Sequence, residues 1–264
     1  MPIPKCKTPP VADVRRKKIL MHSFPKFGKT TWAASIPNAI FLATEPGLGS
    51  VEALRWEDEH GNYVIDSWEK LLQATKEVVD SNQFSMLIID TLDLAFELCR
   101  DYVCRQNNEP YHTDGKLGYG KGTTLINNEM RRYLTRLGAL NMGVVLLAHT
   151  VSETVQTRTG EIQRAVPNLP EKARRPLLGM MDFIFYGDFE IEARGDEKIA
   201  KRVLRTKPHP AWEAGDRSAK LPAILPLDYD ALVKACSPNP AQTPVQVSSP
   251  TSAASTVAAK EKKG

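Results

Sequence analysis

Cysteine is scarce: the 264 residues hold four, Cys6, Cys99, Cys104 and Cys236, with no CxxC pair and no histidine at ligand spacing. That scarcity excludes a disulfide framework and a structural zinc site, and it predicts reduced thiols in a cytoplasmic protein. Long apolar runs are missing too. None approaches the ~18 residues that a membrane span needs, and no secretory leader pattern follows the first residue, so no membrane association is expected. Neither sign of charge dominates, since 35 Lys and Arg face 31 Asp and Glu. A net +4 is too small to indicate a polyanionic partner by itself. No internal repeat is present. The remaining balance, 42% hydrophobic and 25% charged, is that of a globular chain and excludes collagenous, coiled-coil and wholly disordered classes.

The two ends differ from the middle. Residues 1–18 carry four prolines and six basic residues, so 1–16 is expected to be a basic flexible arm. Residues 237–264 are rich in Pro, Ser, Thr and Ala, contain no aromatic residue and end basic. Such a segment buries too little apolar surface to offset the entropy of ordering, and a disordered tail is expected. Between them, 17–236 reads as one α/β domain. Apolar runs at 17–23 (KKILMHS), 39–44 (AIFLAT), 86–90 (MLIID) and 143–149 (GVVLLAH) alternate with helical patterns at 67–80, 91–106 and 123–140. Runs apolar on both faces and separated by helices require a mostly parallel sheet covered on both sides. FIFYGDFEIEA (183–193) and RVLRTKP (202–208) predict strands added antiparallel at one edge.

The sharpest local signal is Ser23-Phe-Pro25-Lys26-Phe27-Gly28-Lys29-Thr30-Thr31, which follows a strand and opens a helix. This is a phosphate-binding loop. Its backbone N–H groups would cradle phosphates, Lys29 would reach the β and γ oxygens, and Thr30 would bind Mg²⁺. Ser23 stands where the first glycine of such loops usually sits, which narrows the turn and predicts weakened nucleotide affinity. Asp90 ends the third apolar run, where a carboxylate can hold the magnesium water shell. Glu45 follows the second run, placed to polarise an attacking water. His149 closes the fourth, placed to sense a γ-phosphate. The plain alternatives are a helix-capping Asp90, a surface acid at Glu45 and a satisfied buried histidine at His149.

FPKFGKTT, LATEPG, LIIDTLD, LGYGKG, VVLLAHT, MMDFIFYG and RTKPHPAWEAGDR follow one another over residues 17–232. In that order they resemble the RecA-type P-loop ATPase core, and more closely phage-encoded RecA-like ATP-binding proteins, including the minimal single-strand annealing recombinases. The resemblance implies ATP and Mg²⁺ as cofactors, Lys29 and Thr30 on phosphates and metal, and Asp90 as metal partner. It implies Glu45 as water activator and His149 at the γ-phosphate sensor position. Arg205 and Lys207 fall where RecA places lysines that reach a neighbouring subunit's γ-phosphate, with Arg217 a second candidate. An exposed basic strand edge is the plain alternative there.

RecA's two DNA-contacting loops correspond to 107–122 and 150–169. The first interleaves Tyr111, His112 and Tyr119 with Lys116, Lys121 and four glycines, so bases could stack while cations meet phosphates. The second carries Arg158 and Arg164. Solvated charges on flexible loops are the alternative. The resulting expectation is a DNA-stimulated ATPase that binds single-stranded DNA and promotes annealing or recombination in the cytoplasm of a phage's bacterial host. The expected partners are further copies of itself and a single-strand DNA-binding protein. The rivals are an ATP-gated adaptor or helicase loader without turnover, and a small-molecule or nucleotide kinase.

Overall fold

Apolar runs buried on both faces form the centre of the molecule, a computed structural model that describes residues 13–158, 160–194 and 197–237. The elements in chain order are β1 (Lys18–Ser23), α1 (Lys29–Ala34), β2 (Ala39–Ala43), β3 (Leu54–Arg55), α2 (Trp68–Ser81), β4 (Met86–Asp90), α3 (Leu92–Gln106), α4 (Lys121–Ala139), β5 (Gly143–Thr157), β6 (Gly160–Pro167), α5 (Glu171–Met180), β7 (Phe183–Arg194), β8 (Glu197–Arg205), β9 (Gly215–Asp216), β10 (Ile224–Pro226) and α6 (Tyr229–Cys236). Most of the expected tail and residues 1–12 of the expected arm lie outside the described residues. Residues 14–16 form a 3-10 turn capped by the Asp13 carboxylate, and Val14 is buried in the core.

The sheet runs β10-β8-β7-β1-β5-β4-β2-β3, with β6 on the far half of β5 and β9 on β7. Strands β7, β1, β5, β4, β2 and β3 are mutually parallel. The expected mostly parallel sheet with helices on both faces and antiparallel edge strands is therefore present. One detail differs. β7 runs parallel to β1, pairing Ile19 with Phe183 through Ser23 with Gly187, and the antiparallel pairing starts at β8. The reason is α5, which returns the chain to the start of β7. Its Pro176 hides it in the sequence, because proline argues against a helix interior.

Alternation divides the core in two. Leu20, Leu42, Ile89 and Leu146 face α2, α3, α4 and α5, while Met21, Phe41, Ile88 and Leu147 face α1 and α6. On α2 the Ser67 hydroxyl accepts from Lys70 N–H, Leu71, Ala74 and Val78 face the core, and Asn82 ends the helix at φ +51°. Among the described residues no helix is long and apolar enough to cross a membrane.

The strand register places the site. Ser23 lies beside His149, Asp90 beside Leu147, and Ala43 beside Asp90. The residues that follow each strand therefore converge along one edge of the sheet, where open α/β sheets gather ligands.

Candidate functional site

The phosphate loop turns through two left-handed residues, Lys26 at φ +60° and Gly28 at φ +106°. Ser23 is not one of them. It is the fully buried last residue of β1, and its Oγ donates to the Phe24 carbonyl at 3.1 Å. Residue 23 is therefore not asked for a left-handed backbone, and the narrowing of the turn expected from losing a glycine there does not arise. Phe24, Pro25 and Lys26 are exposed along the loop, as is Thr31 in the first turn of α1. Phe27 is buried, edge-on to Phe189 with centroids 5.6 Å apart. That seat exists because residue 187 is glycine: a Cβ there would come within 2.5 Å of the Phe27 ring and 2.8 Å of the Ser23 Cβ.

Lys29 is buried, with Nζ 3.5 Å from the Ser23 carbonyl, a long contact for an ammonium. Burial pulls its pKa below the ordinary lysine value, against the opposing charges of Asp90, Asp93 and Glu45. The Thr30 hydroxyl donates to Asp90 Oδ2 at 2.8 Å. Asp90 Oδ1 is buried and has no hydrogen-bond partner among the described residues. Burial is the main reason that the Asp90 carboxyl rises to about 6, and the Glu45 charge adds to it, while Thr30 and Lys29 oppose. Thr44 braces this corner: its N–H donates to the Asp90 carbonyl, its hydroxyl to the Thr91 carbonyl, and it accepts from Thr91 N–H, each at 2.8 Å.

Glu45 leaves the end of β2 half-buried and without a capping bond to the 3-10 turn that follows. Its charge acts on Lys29, Asp90 and His149 together. His149 Nδ1 lies 2.9 Å from Asp93 Oδ2, and its backbone N–H donates to Asp93 Oδ1 at 3.1 Å. The Asp93 bond holds the imidazole above its ordinary pKa against partial burial. Burial pushes Asp93 up, but the side-chain bond, the charge and the backbone bond of His149 together outweigh it, and that carboxyl sits below its ordinary value.

Asp93 was not singled out by the sequence reading, although the second acid of LIIDTLD, one turn beyond Asp90, was the available signal. His22 was also missed inside KILMHS. It is fully buried between Thr150 Oγ1 at 2.8 Å and the Glu213 carbonyl at 2.7 Å, and burial lowers it to about 4.

Other expected residues are already engaged by partners within the chain. Arg205 is tied within its own chain to Asp188 at 3.1 Å and Glu190 at 3.7 Å, and lies over the Trp212 ring at 5.4 Å. Lys207 is tied to the buried Asp216 at 3.2 Å. Arg217 donates to the Gly179 carbonyl. The segment 150–169 is mainly an antiparallel hairpin, β5 with β6, and not a loop. Alternating exposure along VSETVQT shows why: period-two polarity makes a strand. Arg158 is exposed near the tip, whereas Arg164 pairs with Glu213 at 2.9 Å. In 107–122, Lys116, Tyr119 and Lys121 are all exposed, and Tyr119 stands fully out at φ +54°.

A left-handed glycine before Lys-Thr, a threonine hydroxyl bonded to a strand-end aspartate, and a parallel sheet that gathers them define a P-loop ATPase fold. Residues 15–218 match the AAA domain family AAA_24, and the chain belongs to that family. No curated protein matches the chain. Among solved structures it is similar to a KaiC-like protein from the hyperthermophilic archaeon Pyrococcus horikoshii OT3, at 12% identity over 72% of this chain and 80% of that one, with a TM-score of 0.39.

Proposed function

We propose that the protein binds and hydrolyses ATP with magnesium, and that it binds single-stranded DNA to promote annealing or homologous recombination. The observation that carries the nucleotide half is Asp90, which presents one oxygen to Thr30 and keeps the other buried without a partner. A buried carboxylate left open in this way suits a cation, and its raised pKa reports the cost of holding the charge alone. Thr30 and Asp90 would hold the magnesium, whose chemistry is to neutralise charge on the β and γ phosphate oxygens. Lys29 supplies a second, fixed positive charge in a site with little water, where such charges act most strongly. Glu45 takes the proton of the attacking water. The Asp93 carboxylate orients the His149 imidazole midway along β5, where the strand leaves the sheet and enters the hairpin.

Two exposed surfaces support the DNA half. Tyr111 and Tyr119 stand out beside Lys116 and Lys121, giving stacking faces next to cations. Arg158 is exposed near the tip of the hairpin that β5 builds. Delivery of Arg205 and Lys207 to a neighbouring copy's phosphates would first require release from Asp188, Glu190 and Asp216.

The test is steady-state ATP hydrolysis with and without single-stranded DNA, at stated salt, in the wild type and in Lys29→Ala and Glu45→Gln. DNA stimulation lost in both variants is the expected result. ATP binding without turnover would indicate an ATP-gated adaptor or helicase loader. Consumption that responds only to a small acceptor would indicate a kinase.

A further inference from the structure

The β7–β8 ribbon presents two chemically different faces beside the phosphate loop. On one face the acids of β7 meet the cations of β8: Asp188 and Glu190 hold Arg205, and Glu192 holds Lys201. On the other face, in the register that pairs Phe189 with Arg202 and Gly187 with Leu204, β7 offers no carboxylate between residues 187 and 191, only Gly187, Phe189 and Ile191. Arg202 stands on that second face. It is exposed, and among the described residues it makes no ion pair, unlike Lys201 and Arg205.

Its position is specific. A Cβ built on Gly28 would lie 3.2 Å from Arg202 Nη1 and 3.5 Å from Leu227 Cδ2. The guanidinium is thus laid against the backbone of the residue that immediately precedes Lys29. Phe27 and Phe189, edge to face at 5.6 Å, fix the ribbon to the loop at the neighbouring position, and the absent side chain of Gly187 allows that approach. The guanidinium is held against a loop that already carries Lys26 and Lys29, and no acid on its own face of the ribbon offsets it. Arginine's planar fork of donors suits phosphate oxygens at such a place.

We propose that Arg202 is a phosphate-contacting residue of the same chain's nucleotide site, so that the arginine serving the phosphates comes in cis from β8 and not from Arg205 or Lys207 of a neighbour. This inference rests on the phosphate-loop reading above. It adds that one chain supplies all the cations that nucleotide binding requires.

Calorimetric titration of full-length protein with ATP, ADP and AMP, magnesium present, tests it in wild type, Arg202→Ala, Arg202→Lys and Lys29→Ala, with the melting temperature of each nucleotide-free protein measured alongside. The expected result is that Arg202→Ala weakens ATP and ADP by about 10- to 100-fold, AMP by much less, with the lysine variant in between. The nucleotide-free melting temperature should be unchanged, and wild-type affinity should not vary with protein concentration. Arg202→Ala binding ATP within two-fold of wild type overturns the proposal. So does a loss equal for all three nucleotides and accompanied by a lowered melting temperature, which would make Arg202 a packing residue. Wild type binding no nucleotide, or Lys29→Ala binding as tightly as wild type, overturns the phosphate-loop reading and Arg202 with it.

Discussion

The phosphate-loop edge and the Arg205–Lys207 end of the β7–β8 ribbon both carry cations and carboxylates, yet they are left in opposite states. At the loop, the bonds are incomplete: Lys29 touches a carbonyl at 3.5 Å and Asp90 keeps a buried oxygen unpartnered. On β8 and just beyond it, Arg205 and Lys207 are already neutralised by Asp188, Glu190 and Asp216. Residue type is the same in both places. The lesson is that an incomplete set of partners, and not the presence of a charged residue, marks where a ligand belongs.

Substitutions can break this contrast. The largest expected effect is at Glu45. Glu45→Gln should lower ATP turnover by about 10²-fold or more, as loss of a general base does, while nucleotide affinity measured by titration stays within a few-fold.

The next effect is on stability and carries a sign in pH. Asp90 is raised from 3.8 to about 6, so the folded state holds its ionised form at a cost of about 3 kcal/mol above pH 6, and this cost disappears as pH falls towards 4. His22 acts oppositely. Lowered from 6.5 to about 4, it contributes stability in full above pH 6.5, and about 3 kcal/mol of that is lost as pH falls to 4. The two offset each other in the wild type. Nucleotide-free Asp90→Asn should therefore be the more stable protein at pH 8 by up to about 3 kcal/mol and lose that advantage steeply between pH 6 and 4. Urea denaturation at pH 8 and pH 4.5 measures both ends.

Smaller effects sharpen the other side of the comparison. Arg205→Ala removes two partly screened ion pairs and a cation–π contact, and should cost about 1 kcal/mol of stability in urea denaturation. Lys26→Gly relieves a left-handed backbone at φ +60° and should raise stability by about 0.5–1 kcal/mol in the same assay.

How much of this was legible depended on how local the cause was. The strands β1, β2, β4 and β5 are runs apolar on both faces, and the phosphate loop is a contiguous motif, so Lys29, Thr30, Asp90 and Glu45 could be placed from sequence. Asp93 was passed over because an acid in the first turn of a helix has an ordinary explanation, its favourable charge at a helix start. Only the fold puts it on His149, 56 residues away. The β5–β6 hairpin had a local signal, the alternation in TVSETVQT and EIQRAVP, which yielded to the RecA comparison and its loop. The direction of β7 was not local at all: it follows from the return path through α5. Arg202 and Arg205 look alike in RVLRT. The register across β7 gives one of them two carboxylates and the other a phenylalanine and a glycine loop.

The central claim is that the Lys29–Thr30–Asp90 corner is a nucleotide and magnesium site. Titration of ATP into wild-type and Lys29→Ala protein, with and without magnesium, tests it most directly. The account predicts wild-type binding that tightens with magnesium and falls at least 100-fold in Lys29→Ala. Equal affinity in the two proteins would contradict it.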